Sequence, residues 1–384
     1  MATKRVLVFS LAYYPFVGGA EVALREIVER LARPERGEIG DDYQFEIITV
    51  NLDGCQPTIE KYGTALVRRL GGGKLAKYLF PFTAYRLAKR LHSREPYDLV
   101  WAMMANQAGL AALFFKWQFP KVKYLLTLQE GDSLFDIWLR TWFMRPLYKA
   151  IYRRADSIQA ISNFLAKRAV KFGAKCPITV VPNGVDIDKF KVQSFKVNLP
   201  AGRQEGQDSK SKIIITTSRL VKKNGIADLI KSLTYLSKEI SLWVLGIGKE
   251  EGCLRALACR LGLETRVKFL GQIDGSQIPE YLAKSDVFVR ASLSEGLGNS
   301  FLEAMAAGLP VVGTPVGGIP DFLKAGETGW ICEVKNPKSI AEQIKFIINP
   351  ANSAEVGRIT KRGRDLVFSK YTWDQVASDM RKIL

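Results

Sequence analysis

Residues that build metal sites and covalent frameworks are scarce in this chain. It has one histidine, His92, and five cysteines, Cys55, Cys176, Cys253, Cys259 and Cys332, with no C-x-x-C pair among them. That set offers none of the usual zinc spacings and no disulfide framework. Long apolar runs are missing too. The uncharged stretch from Leu99 to Phe115 contains Asn106, Gln107 and Gly109 and falls short of the roughly 20 apolar residues a spanning helix needs. At the N-terminus, Lys4 and Arg5 precede only a short run, Val6 to Phe9, without the longer apolar region and cleavage site of a secretory signal. A cytoplasmic protein is expected. The 384 residues are 47% hydrophobic and 24% charged, which excludes general disorder and suits two domains of about 150 to 200 residues each.

Acid is the other local absence. Residues 61–180 hold 21 Lys and Arg against 6 Asp and Glu, an excess of 15 within a formal charge of +18. Between Lys61 and Arg94 there are nine basic residues and no acid, interleaved with Leu75, Tyr78, Leu79, Phe80, Phe82, Tyr85, Leu87 and Leu91. The mix describes a basic amphipathic surface for anionic lipid headgroups, a phosphate-bearing acceptor or nucleic acid. The same pattern also fits a solvated helix whose apolar side faces the core.

What is present is alternation. Short β-branched or apolar runs at Arg5–Phe9, Phe45–Val50, Leu99–Met103, Tyr124–Leu128, Ser157–Ile161 and Ile178–Val181 are separated by helical patterns. A second series runs through Lys212–Thr217, Ser241–Leu245, Arg266–Leu270, Val287–Arg290, Val311–Gly313 and Trp330–Cys332. Strands alternating with helices predict parallel sheets covered on both faces. The expected architecture is α/β, two doubly wound Rossmann-like domains facing across a cleft. The first spans 1–190. A polar linker or insertion follows at 191–211, then the second domain at 212–368 and a terminal helix at 369–384 that brings Trp373, Val376, Met380 and Leu384 to one face.

The most specific feature is SEGLGNSFLEAMAAGLPVV, Ser294 to Val312. After the strand Val287–Arg290, Gly296 and Gly298 permit a tight turn, Asn299 or Ser300 is expected to cap a helix, and Gly308 and Pro310 end it. Glu303 falls in the early turns of that helix and Glu295 in the loop before it. A helix N-terminus tolerates a carboxylate and offers N–H groups to phosphate. The two carboxylates then flank an anion-binding nest with acceptors for sugar hydroxyls.

These residues resemble the E-x7-E signature of the retaining glycosyltransferases of family 4, which have the GT-B fold. Three further elements match in order: Tyr14-Pro15-Phe16-Val17-Gly18-Gly19-Ala20-Glu21, Val181-Pro182-Asn183-Gly184-Val185-Asp186, and Thr217-Ser218-Arg219-Leu220-Val221. The resemblance covers nearly all the chain. It implies that Glu303 binds the nucleotide ribose. It assigns the donor sugar to Glu295 with the backbone of Gly296, Leu297, Gly298 and Asn299, and the diphosphate to Arg219 and Lys223, with the glycine loop at Gly18 and Gly19 approaching from the other domain. It also implies that the terminal helix packs back on the first domain. Many members carry the lysine five residues after the arginine, where this chain has Asn224, and a histidine in the first domain where it has Leu128-Gln129-Glu130-Gly131-Asp132. Gln129 is therefore the candidate for contacting a sugar hydroxyl, with Glu130 and Asp132 as candidates for steering the acceptor. His92 does not match that histidine and reads as a surface residue. Gly246-Ile247-Gly248 with Gly252 has the wrong spacing for a dinucleotide fingerprint and reads as close backbone approach to the donor.

Arg219 offers a planar fork for phosphate oxygens and Lys223 a point charge, so no metal and no cofactor is expected beside a nucleotide-diphosphate sugar. Asp186-Ile187-Asp188 spells a D-x-D triplet of the kind metal-dependent transferases use. The expected activity is hexosyl transfer with retention to a saccharide or lipid-linked acceptor, in polysaccharide or glycolipid synthesis, at the cytoplasmic membrane face. Residues 61–94 would be turned to an anionic membrane and not to nucleic acid. A nucleotide-sugar epimerase or sugar phosphorylase on the same fold is one alternative, and a non-catalytic basic module that binds membranes or nucleic acid is another.

Overall fold

The structure is a computed structural model and describes residues 3–16, 18–32, 43–132, 144–191 and 211–384. Val17 and the polar stretch from Gln193 to Lys210 lie outside the described residues. The chain divides into two units, one made of residues up to Gly184 together with Trp373–Leu384, the other of Val185–Thr372.

In the first unit the described strands are β1 (Lys4–Phe9), β2 (Tyr43–Val50), β3 (Ile59–Tyr62), β4 (Ala65–Leu70), β5 (Leu99–Met103), β6 (Lys123–Leu128), β7 (Ser157–Ala160) and β8 (Ile178–Val180). They form one sheet in the order β3-β4-β2-β1-β5-β6-β7-β8, parallel but for β3, which runs antiparallel to β4. The central strands are buried on both faces, β5 at every residue, which explains why they read as continuous apolar runs. From β1 the order continues outward to β2 on one side, and from β5 to β8 on the other. The reversal between β1 and β5 is a topological switch point, where open α/β sheets hold ligands at the carboxyl ends of their strands.

The second unit repeats the scheme with β9 (Lys212–Thr217), β10 (Ile240–Leu245), β11 (Val267–Gly271), β12 (Val287–Arg290), β13 (Val311–Gly313) and β14 (Trp330–Ile331), in the order β11-β10-β9-β12-β13-β14. All described pairings are parallel, and the switch point lies between β9 and β12. After the helix Ser353–Lys370 the chain returns to the first unit. There Trp373, Val376, Met380 and Leu384 join Leu24, Ile27, Val28 and Leu31 in one core, and Arg30 Nε donates to Asp374 Oδ1 at 2.7 Å.

The basic segment differs from its sequence reading. Its first part is the hairpin β3–β4, whose arginines are used internally. Arg68 pairs with Glu46, and Arg69, only 3% exposed, sits 2.6 Å from Glu60 and donates to the Tyr14 carbonyl. The second part is the helix Gly73–Arg94, which turns Phe80, Ala84 and Ala88 to the core. Leu75, Tyr78, Leu79 and Phe82, spaced i, i+3, i+4 and i+7, share the opposite face and are exposed, so of the large apolar residues in this part of the helix only Phe80 is fully buried. Arg86, Lys89 and Arg90 continue that exposed stripe. His92 is not a plain surface residue either. Its ring lies 4.4 Å from that of Phe119 and 5.3 Å from that of Phe115, and its Nδ1 accepts from the Tyr97 N–H at 3.0 Å. Burial holds its pKa below the usual histidine range.

Candidate active site

The carboxyl ends of β9 and β12 place the second-unit residues side by side. From β9 the chain passes Thr217 and Ser218 to Arg219, whose side chain is exposed and has no hydrogen-bond or ion-pair partner among the described residues. Its neighbour Leu220 is fully buried and anchors the loop. Gly246 and Gly248, read from sequence as approaching the donor, lie close against this loop. A Cβ on Gly246 would meet the Ser218 carbonyl at 1.9 Å, and one on Gly248 the Leu220 carbonyl at 2.4 Å. Their lack of side chains lets Leu220 N–H donate to the Ile247 carbonyl at 2.9 Å. Lys223 follows in the short 3-10 turn Lys222–Asn224, half-buried.

From β12 the chain passes Ser292 and Glu295 into the helix Asn299–Ala306. The position before the helix is Gly298, at φ +100°, which a side chain would rarely adopt. Neither expected side-chain cap forms: Gly298 takes the N-cap place, and Ser300 Oγ instead accepts from Arg290 Nη1 at 2.7 Å. The first-turn N–H groups of this helix keep the anion-binding character of any helix N-terminus. Glu295, with 14% of its side chain exposed, lies 2.6 Å from Arg290 Nη2. Its Oε1 accepts from the Gly296 N–H at 3.3 Å.

Glu303 lies one turn into the helix. Desolvation pushes its carboxyl up to about 7, against the pull of Lys189 and Arg290. Removal from water therefore outweighs the comfort a helix N-terminus was expected to give it. Several polar atoms around the two strand ends, Ser218 Oγ, Thr217 Oγ1, Ser292 Oγ and Arg290 Nε, are buried without a hydrogen-bond partner among the described residues. Asp186 sits 3.6 Å from Lys189 in an ion pair, and the described residues hold no group of three or more His, Cys, Asp or Glu arranged to bind a metal.

In the first unit, Gly18 and Gly19 open the helix Gly19–Leu31 after the loop from β1, with Gly18 at the N-cap. Gln129 follows β6, and its Oε1 accepts from Asn183 Nδ2 at 3.2 Å while its Nε2 is buried and has no hydrogen-bond partner among the described residues. Glu130 is used structurally, for its Oε1 accepts from the Ala105 N–H at 2.6 Å and burial raises its pKa. The Glu130 and Asp132 carbonyls both accept from Arg168, at 2.9 and 2.7 Å. The β6 loop thus offers an amide donor at Gln129, while the Glu130 carboxylate is taken up by backbone.

Two family descriptions match the chain in tandem, "Glycosyltransferase Family 4" over residues 17–189 and "Glycosyl transferases group 1" over residues 201–365. The chain belongs to glycosyltransferase family 4. Among its relatives is the N-acetyl-alpha-D-glucosaminyl L-malate synthase of Bacillus anthracis, 26% identical, with 98% of this chain and 96% of the relative covered. Another is a GDP-mannose-dependent alpha-(1-6)-phosphatidylinositol monomannoside mannosyltransferase of Mycobacterium tuberculosis, 27% identical over 77% of this chain and 78% of that one. Among solved structures, Anabaena HepE in complex with UDP and glucose superposes with a TM-score of 0.77 at 20% identity, covering 98% of each chain. At that identity the likeness speaks for the GT-B fold alone.

Two residues of this glycosyltransferase escaped the sequence reading. Arg290 looked like the end of an apolar strand and Asn224 like a departure from pattern, yet Asn224 is 2% exposed and Arg290 9%. The available signal was a lone cation closing Val287-Phe288-Val289 just ahead of the glycine turn.

Proposed function

We propose that this family 4 glycosyltransferase moves a hexosyl group, with retention of configuration, from a nucleotide-diphosphate sugar to a saccharide or lipid-linked acceptor at the inner membrane face. The observation that carries the donor half is the convergence of Arg219, Glu295 and the helix bearing Glu303 at the β9/β12 switch point. In this reading Glu303 receives the ribose hydroxyls. Glu295 and the backbone from Gly296 through Asn299 receive the sugar. Arg219, Lys223 and the helix N-terminus take the diphosphate charge that grows as the leaving group departs. Gly18 and Gly19 supply backbone from the first unit, and the Gln129 amide donates to a sugar hydroxyl. The UDP bound to HepE and the GDP-mannose dependence of the mycobacterial relative make both nucleotides reasonable first donors to try.

Because fixed cations and N–H donors do the electrostatic work, transfer is expected to need no divalent ion. Turnover of labelled donor should persist in excess EDTA, and the new glycosidic bond should keep the donor's anomeric configuration by NMR. Loss of activity in EDTA with recovery on manganese or magnesium would instead give the role to Asp186 and Asp188.

The acceptor half rests on the helix Gly73–Arg94. Its exposed stripe begins with Leu75, Tyr78, Leu79 and Phe82, is widened by Trp117 at 47% exposure, and passes into Arg86, Lys89 and Arg90. The ring of Phe82 stacks 5.5 Å from that of Phe114, which makes the aromatic patch continuous with the next helix. Aromatic and aliphatic side chains beside exposed bases suit the interface of an anionic bilayer, each base adding about 1 kcal/mol near the surface and fading within a Debye length of about 8 Å. Changing Lys77, Arg86, Lys89 and Arg90 to Glu is expected to release the protein from vesicles containing acidic lipid while leaving nucleotide affinity unchanged. Retained vesicle binding, or lost nucleotide binding in a folded variant, would overturn the membrane assignment.

A further inference from the structure

Arg290 ends β12 with a guanidinium whose side chain is only 11% exposed. Its Nη2 lies 2.6 Å from Glu295 Oε2 and donates to Asn224 Oδ1 at 3.0 Å, while Nη1 donates to Ser300 Oγ at 2.7 Å. Asn224 passes the link on, donating through Nδ2 to the Arg219 carbonyl at 2.6 Å. A second tie runs beside it, from the Leu293 N–H to the Lys223 carbonyl at 2.7 Å. One planar cation therefore joins the loop of Arg219, the loop of Glu295 and the first turn of the helix carrying Glu303. A buried charge persists only when well paired, and a fork with several fixed donors is what only arginine supplies.

From this geometry we infer that Arg290 is a positioning residue of the donor site, acting through Glu295. It aims the Glu295 carboxylate at the sugar and offsets its charge beside the donor diphosphate. The inference rests on the donor reading given above. Without Arg290, a carboxylate and a diphosphate would share a small site as like charges. With it, lone pairs of Glu295 remain for sugar hydroxyls while the repulsion is screened. The nucleoside, assigned to Glu303, feels Arg290 only through the weaker of the two charges that pull on that carboxyl, so the larger effect falls on the sugar half of the donor.

The test is calorimetric binding of UDP-glucose and GDP-mannose, each beside its bare nucleoside diphosphate, to the parent, R290M, R290K, E295Q and R290M/E295Q. For a pair the parent binds, R290M is expected to lose about tenfold or more in affinity for the sugar nucleotide. Affinity for the bare diphosphate should fall by no more than about threefold, the part owed to the Glu295 charge left unscreened beside it. R290K, which keeps the charge but not the fork, should show a smaller loss in the same direction, and it carries the test if R290M does not fold. R290M/E295Q should bind the sugar nucleotide no worse than E295Q alone. Equal losses for both ligands, affinities matching the parent, or losses that add to those of E295Q would remove the role from Arg290 while leaving the donor site in place. A parent that binds neither pair would bring down the donor reading itself, and this role with it.

Discussion

Replacing Arg219 with alanine is expected to slow sugar transfer by about 10²- to 10³-fold while weakening donor binding far less. The reason is where the charge develops. Negative charge accumulates on the departing diphosphate only as the glycosidic bond breaks, so a cation facing those oxygens contributes more to the transition state than to the bound donor. The substitution should be clean, because the Arg219 side chain is exposed and its loop is held by buried Leu220 and by the Asn224 bond to the Arg219 carbonyl. Loss of an exposed head group of this kind usually changes stability by no more than about 0.5 kcal/mol. Steady-state kcat read beside the calorimetric donor Kd separates the two effects. Equal losses in both would make Arg219 a uniform binder, and a partial return of kcat in Arg219→Lys would show how much of the effect is charge and how much the planar fork.

Glu303→Ala is expected to weaken donor and free nucleoside diphosphate alike, by roughly 10- to 150-fold, the worth of hydrogen bonds from ribose hydroxyls to a charged acceptor. Its raised pKa adds a pH signature. The folded carboxyl holds its proton up to about 7, whereas the unfolded one gives it up near 4.5. The stability this group lends the unliganded protein is therefore complete below about 4.5 and is lost as pH rises through about 7. Nucleotide affinity should move the other way. Ribose hydroxyls donate to the ionised carboxylate, so binding should tighten by up to about tenfold per pH unit on approach to 7 and then level off. Glu303→Gln should flatten both profiles, which separates this group from the titration of the ligand's own phosphates. Unchanged nucleotide affinity in a folded Glu303→Ala variant would remove the ribose role.

The regular part of the fold was legible because fully buried parallel strands leave unbroken apolar runs, and Leu99–Met103, Lys212–Thr217 and Val287–Arg290 could be bounded to the residue. The hairpin β3–β4 was not, because an arginine, Arg69, takes an inward place in line with Ala65 and Val67, and the charges disguised an edge of the sheet as surface. Whether Arg68 and Arg69 meet solvent or Glu46 and Glu60 depends on contacts across 9 to 22 positions, which composition does not encode. The same limit applied at the site. The glycine turn, the paired glutamates and the cation of β9 announce themselves by local spacing. Arg290 acquires its place only when β12 lies beside β9 and brings Asn224 within reach. The sequence pattern also suggested a helix cap at Asn299 or Ser300. It missed that Ser300 is claimed by a buried cation and that Gly298 can occupy the cap position at positive φ.

The return of residues 373–384 to the first unit sets an order of events during synthesis. Val28 and Leu24 emerge early, but the core they belong to also needs Trp373, Val376, Met380 and Leu384. The ribosome makes everything from Val185 to Thr372 in between. At about 5 to 20 residues per second that interval lasts roughly 10 to 40 seconds. For all of it the first unit must wait with part of its apolar face open, while the second has all its own residues and is free to close. The later-made unit is therefore the one that can finish first, and the nascent first unit is the stage at which this chain most needs protection from aggregation.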